Sequence, residues 1–248
     1  MRENAPAFAA IAVPLVLLFW LSNSALILYL GRDGIEELAW ASREHVLLLL
    51  LLFFERSLLS LPLLLLNGNL LFEPRPALWP ILKNTLRLYP RYLFARAVVF
   101  PVQTILLGWT LVLPWRALVT HFFKSEVIVL ERLKGDILSK RLQAMSLGQS
   151  ERNIGFVLLD AVVFFAYALA MGFGFNVLLG MLGLDNRYWW LDARFALYSP
   201  IVHLLILVYC VFHTTAKFLY YIDSRSLREG WDMELTLIKG VRETEEAA

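Results

Sequence analysis

Glu55 and Arg56 stand side by side in HVLLLLLLFFERSLLSLPLLLL, residues 45–66, with nothing but hydrocarbon for more than two turns on the N-terminal side. At the centre of a membrane helix each such charge costs roughly 2.5–3.5 kcal/mol, so each needs a partner or, for the carboxylate, a proton. On a helix, adjacent residues point about 100° apart and do not face each other, so the two do not pair with one another. Four other ionisable residues are candidate partners: Asp160 early in a later apolar stretch, His203 behind Pro200, and Arg96 and Arg116 flanking a third stretch, either of which reaches toward Glu55 if that stretch dips inward. Glu55, Arg56, Arg96, Arg116, Asp160 and His203 therefore form a candidate intramembrane polar network. Two kinds of chemistry suit it. It can line a path for an ion, a proton or a lipid headgroup, or it can pair helices and fix their register or hold a subunit partner.

Other chemistry finds little footing in the residues. His203 and His213 are ten apart, about 15 Å along a helix axis, too far to share a metal on a straight helix. His213 and Lys217 share a face near one end of the same stretch and suit an interfacial anchor. There is no HExxH, no phosphate-binding GxxxxGK[ST] and no dinucleotide fingerprint, and no GxSxG nucleophile elbow. Cys210, the one cysteine, permits neither an intramolecular disulfide nor a cysteine metal cluster. Neither a metal nor a cofactor is expected. Gly172, Gly174, Gly180 and Gly183 miss the GxxxG spacing and suit close helix packing more than a ligand site.

The elements that must position these charges are apolar helices. The chain of 248 residues is 59% hydrophobic with a mean hydropathy of +0.62, well above soluble domains. A helix needs about 20 apolar residues to cross the hydrocarbon core, and 8–30, 46–66, 154–183 and 195–219 all qualify. The first is too long for the apolar core of a cleaved leader and is expected to be retained. A fifth stretch, AVVFPVQTILLGWTLVLPW at 97–115, is just long enough but carries Pro101, Gly108 and Pro114. The expected fold class is all-α: a polytopic transmembrane helix bundle with four clear spans, a Pro/Gly-broken fifth segment that spans or re-enters, and interfacial amphipathic helices. Residues 1–222 form the transmembrane domain and 223–248 a cytoplasmic juxtamembrane tail.

Charge separates the connecting segments. Segment 31–45 is net acidic, whereas 67–96 and 116–153 are rich in Lys and Arg, the composition of loops that stay cytoplasmic. Both basic segments share a side if 97–115 dips in and returns; a full crossing puts them on opposite sides. The return places both termini in the cytoplasm, and five spans place them apart. Irregular backbone at such depth requires cover by protein or a watery cavity.

Within the first basic segment, Lys83, Arg87 and Arg91 repeat at four-residue spacing and form one stripe, with Trp79, Leu82 and Leu86 on another face. That pattern lies in the membrane interface with its basic edge toward anionic lipid, or forms a solvated loop helix. Residues 125–148 are amphipathic too, and suit either a membrane surface or a partner's helix. The formal net charge of +2 lacks the basic excess of a nucleic-acid binder.

Two stretches carry a resemblance. EVIVLERLKGDILSKRLQAMSLG and the tail YIDSRSLREGWDMEL resemble uncharacterised bacterial multi-pass inner-membrane proteins, including the membrane domain fused to some glycerophosphodiester phosphodiesterases. Asp223, Arg225, Glu229, Gly230, Trp231, Asp232 and Glu234 match the family's ending. Leu142, Ile222 and Leu227 depart from it. The resemblance implies an all-helical protein of the bacterial inner membrane with a cytoplasmic C-terminus, and it brings no catalytic residues, since the phosphodiester chemistry resides in a separate domain. Read physically, Arg225 and Glu229 are one helical turn apart and can pair, and Trp231 can anchor at headgroup level.

The expected function is that of a non-enzymatic scaffold or accessory subunit of a membrane complex, in contact with the bilayer, with anionic lipids and with a protein partner through the amphipathic helices. The alternative is a small transporter, channel or lipid-moving protein that uses Glu55, Arg56, Asp160 and His203. A lipid-processing enzyme has scattered ionisable residues as its sole support.

Overall fold

The computed structural model describes residues 5–30, 43–73, 76–94, 122–146, 149–181 and 198–230. Helix is the regular secondary structure throughout the described residues. In chain order the helices are α1 (Ala5–Leu30), α2 (Arg43–Leu70), α3 (Leu78–Leu93), a short α4 (Lys124–Glu126) that widens into a π turn (Val127–Glu131), α5 (Gly135–Ser146), α6 (Ser150–Met181) and α7 (Pro200–Glu229). Segment 97–115 with its flanking Arg96 and Arg116 lies outside the described residues, as does segment 31–42.

Four helices are long and apolar enough to cross a membrane: Ala5–Tyr29, Val46–Leu70, Ser150–Phe175 and Pro200–Leu227. Each overlaps one of the four clear spans expected from the sequence. The helices extend beyond the apolar stretches at several ends, because helix geometry continues through polar residues after the hydrocarbon signal stops. Thus α2 starts at Arg43 and α7 runs on to Glu229, so Asp223 and Arg225 belong to the last turns of α7. That helix ends on Gly230, whose φ of 59° is the left-handed conformation glycine adopts freely after a helix. Its N–H bonds the Ser226 carbonyl at 3.1 Å.

The chain divides into two compact units. One contains Ala9–Ser60 and Gly155–His213, the other Met1–Phe8, Leu61–Ile154 and Thr214–Ala248. In the first unit, Ile27, Leu48 and Tyr198 form a buried cluster, with Leu26 packed against it. Trp20 donates its indole N–H to the Pro200 carbonyl at 2.9 Å, which ties α1 to the start of α7.

In the second unit the core consists of Phe123, Val127, Leu142, Met145 and Tyr221, flanked by Leu130, Leu133 and Leu138. The apolar face of α5 is thus covered by the π turn and α7. Gly68 allows the close approach of α2 to the π turn: a Cβ there would lie 2.7 Å from Leu130 Cδ2. Arg132 closes the turn in the left-handed region at φ 56°.

Helix α3 sorts its residues onto three faces. Ile81, Thr85 and Tyr92 are buried; Trp79, Leu82 and Leu86 are exposed; Lys83 and Arg87 lie exposed beside them. Pro80 is tolerated because it falls in the first turn, where backbone N–H groups have no intrahelical acceptor.

Candidate functional site

In the first unit, α2 sends its two charges in different directions. Glu55 is 3% exposed and accepts a hydrogen bond from Asn23 Nδ2 of α1 at 2.7 Å. Arg56 instead exerts its charge on Asp160 of α6 and on the Tyr209 hydroxyl of α7. The roughly 100° between neighbouring helical positions produces this divergence.

Asp160 is the hub of that second group. The Tyr209 hydroxyl donates to Asp160 Oδ1 at 2.6 Å and lies 2.8 Å from the Asp160 backbone carbonyl oxygen. His213 Nδ1 lies 2.9 Å from the same carboxylate oxygen. Tyr209 and His213 are one turn apart on α7 and so reach Asp160 together. Side-chain exposures of 14% for His213 and 23% for Asp160 leave the group sheltered but reachable. A carboxylate held between a phenol and an imidazole can bind a proton or a small polar head; it is also well suited to lock α6 to α7.

His203, expected in this network, is fully buried on α7, and its backbone N–H bonds the Ser199 carbonyl at 3.2 Å. His213 is the histidine that pairs with Asp160. Sequence reading gave it an interfacial role with Lys217, and missed Asn23 and Tyr209 as partners. The available signal was the spacing of Tyr209 and His213, polar tips one turn apart in an otherwise apolar stretch.

The second unit holds a denser ionic group, built from the two stretches that carry the resemblance. Glu131 at the end of the π turn receives Arg141 from α5, Nε at 2.8 Å and Nη2 at 3.2 Å. It also accepts the Tyr221 hydroxyl at 2.6 Å, with Arg225 Nη1 at 3.9 Å. Nearby, Lys217 Nζ reaches Glu126 at 3.2 Å and lies 5.0 Å from the centre of the Phe122 ring. Arg152 pairs with Asp223 at 2.7 Å on the exposed side, and Tyr220 donates to Asn153 Oδ1 at 2.9 Å. Arg225 thus reaches Glu131; the side chain of Glu229, its expected partner along the helix, lies outside the described residues. Trp231 and Asp232 lie outside the described residues.

Of the stripe Lys83, Arg87 and Arg91, the first two are exposed, and Arg91 donates through Nη2 to the Leu133 carbonyl, joining α3 to the loop before α5. Burial, with a smaller contribution from Tyr92, pushes the neighbouring Tyr89 phenol up to about 12. Burial also holds the Lys124 amine below its ordinary value.

Among the described residues, no group of three His, Cys, Asp or Glu side chains is arranged to hold a metal ion. Comparison with protein-family models, curated proteins and solved structures gives no match.

Proposed function

We propose that the chain is a non-enzymatic, multi-pass inner-membrane protein that acts as a scaffold or accessory subunit of a membrane complex, and that it belongs with the bacterial multi-pass proteins it resembles. On this reading the C-terminus is cytoplasmic, α3 and α5 lie at the membrane interface, and 97–115 crosses or re-enters beside Arg96 and Arg116.

The observation that carries the reading is the open side of α6. Among the described residues, none of its most apolar 18-residue window is buried. Leu158, Leu159, Val162, Phe173 and Val177 are all exposed on that side, and small Ala166 and Ala170 lie among them, the mixture that favours helix association in lipid. The carboxylates Glu126, Glu131, Asp160 and Asp223 are each engaged by side chains of the same protein, which supports a structural use of charge. The apolar face of α5 is already covered, so α6 is the better docking element.

A photo-crosslinking amino acid at Val162 or Phe173, introduced in cells, is expected to capture one defined protein band. Capture of lipid alone at both positions would remove the basis for the subunit role.

A second reading, a small transporter, channel or lipid-moving protein, is favoured by Asp160 with Tyr209, His213 and Arg56, a polar group set in apolar helices. Ion or lipid flux through liposomes containing the pure protein, lost in Asp160→Asn, is its expected signature; absence of flux in the unaltered protein sinks it.

A further inference from the structure

Between α6 and α7, within the first unit, lies a groove of about 220 Å³ lined by Phe164, Tyr167, Ala168, Gly172, Leu205 and Ile206 together with other apolar side chains. Tyr167 turns its hydroxyl onto the Leu205 carbonyl at 3.2 Å, so its ring is what the groove receives. From Phe164 to Phe175 the groove follows α6 for about 16 Å, half the ~30 Å hydrocarbon core and thus the depth of one leaflet.

One end of the groove is polar. The Tyr209 ring lies edge-on to Phe164 with centroids 4.8 Å apart and beside Tyr167 at 5.7 Å. Its hydroxyl then begins the group of Asp160, His213 and Arg56 described above. An occupant must therefore be hydrocarbon over one leaflet's depth and polar at one end, and its head meets the Asp160 carboxylate beside the His213 imidazole.

We propose that this groove binds the acyl chain of an amphiphilic membrane lipid, with the polar head against Asp160 and His213. The inference rests on the helices being embedded in lipid and is independent of the scaffold role. A helix of a second protein has no reason to place a polar end at Tyr209, whereas a lipid must have one.

The test uses the full-length protein in nanodiscs with a palmitic acid analogue bearing a mid-chain diazirine, and peptide mapping after illumination. Labelling on α6 and α7 around Ala168 and Leu205 should saturate and be competed by unlabelled palmitic acid. It should fall by about tenfold in Ala168→Phe, which corresponds to about 1.4 kcal/mol of lost chain contact, while diffuse labelling of α1 persists. Ile206→Trp fills the same space from the other helix and serves if Ala168→Phe fails to fold as judged by thermal melting. Groove labelling that does not saturate, or is unchanged in a folded groove-filling variant, identifies ordinary boundary lipid and overturns the site. A groove protected by a crosslinked protein overturns it as well. No labelling of any helix, α1 included, overturns the site together with the embedding of the helices on which it rests.

Discussion

Glu131 is the residue with most depending on it. Arg141, Tyr221 and Arg225 all converge on one carboxylate that is 13% exposed. Glu131→Ala is expected to destabilise the protein by about 2 kcal/mol. That lies below the ~3–5 kcal/mol of a fully buried pair because Arg141 keeps a quarter of its exposure. Glu131→Gln keeps an acceptor for Tyr221 and should cost less; melting in detergent compares the two. One residue further on, Arg132 holds φ 56°, a conformation that costs a side-chain-bearing residue about 1 kcal/mol or more. Arg132→Gly should therefore raise stability by about that amount, and an unchanged or lower melting temperature would contradict it. Tyr89 gives a pH prediction. Its phenol rises from the ordinary 10.0 to about 12 on folding, so the folded state favours the neutral form. The stability it contributes is full below pH 10 and is lost as pH climbs from 10 through 12. Melting curves over that range should fall more steeply for the unaltered protein than for Tyr89→Phe.

At the scale of elements, α3 is built to lie flat. Its exposed Trp79, Leu82 and Leu86 adjoin Lys83 and Arg87, and each base near an anionic surface contributes about 1 kcal/mol. A fluorophore on Leu82→Cys, in a Cys210→Ser background, should be quenched by lipid-borne nitroxides in anionic nanodiscs. Lys83→Glu with Arg87→Glu should weaken that quenching; equal quenching would mean the bases do not hold the helix there. The helices themselves were legible in the sequence, since runs such as LLLLLLFF leave few other options. The divergence of Glu55 from Arg56 was also legible, because it follows from helix geometry alone. Their partners were not. Asn23 reads in the sequence as a mere interruption of an apolar stretch, and becomes the partner of Glu55 only when α1 is placed beside α2. The same holds for the apolar side of α5: periodicity reveals it, but not whether the covering residues come from another molecule or, as found, from Phe123, Val127 and Tyr221 of the same chain.

For the whole molecule, sidedness is the property on which the proposed role turns. If 97–115 returns, basic segments 67–96 and 116–153 and the last turns of α7 all share the cytoplasmic side; if it crosses, one basic segment lies outside. A reporter active in the cytoplasm alone should be active when fused after Ala248; a reporter inserted in segment 31–45 should be active outside if 97–115 returns and inside if it crosses. An inactive fusion after Ala248 would place the Glu131 group on the outer face and remove the proposed contact between α3 and the anionic inner leaflet. The two tests of α6 are complementary in the same way, since its groove side faces α7 and its open side does not.

The π turn at Val127–Glu131 carries a consequence for the ancestry of this chain. A π turn accommodates one residue more than an α turn along the same axis, so it is the natural scar of a single-residue insertion into a once regular helix. Relatives that lack the insertion should be one residue shorter between Phe123 and Glu131. Deleting Ile128 should turn Lys124–Glu131 into a regular α-helical end, still closed by Arg132 in the left-handed region.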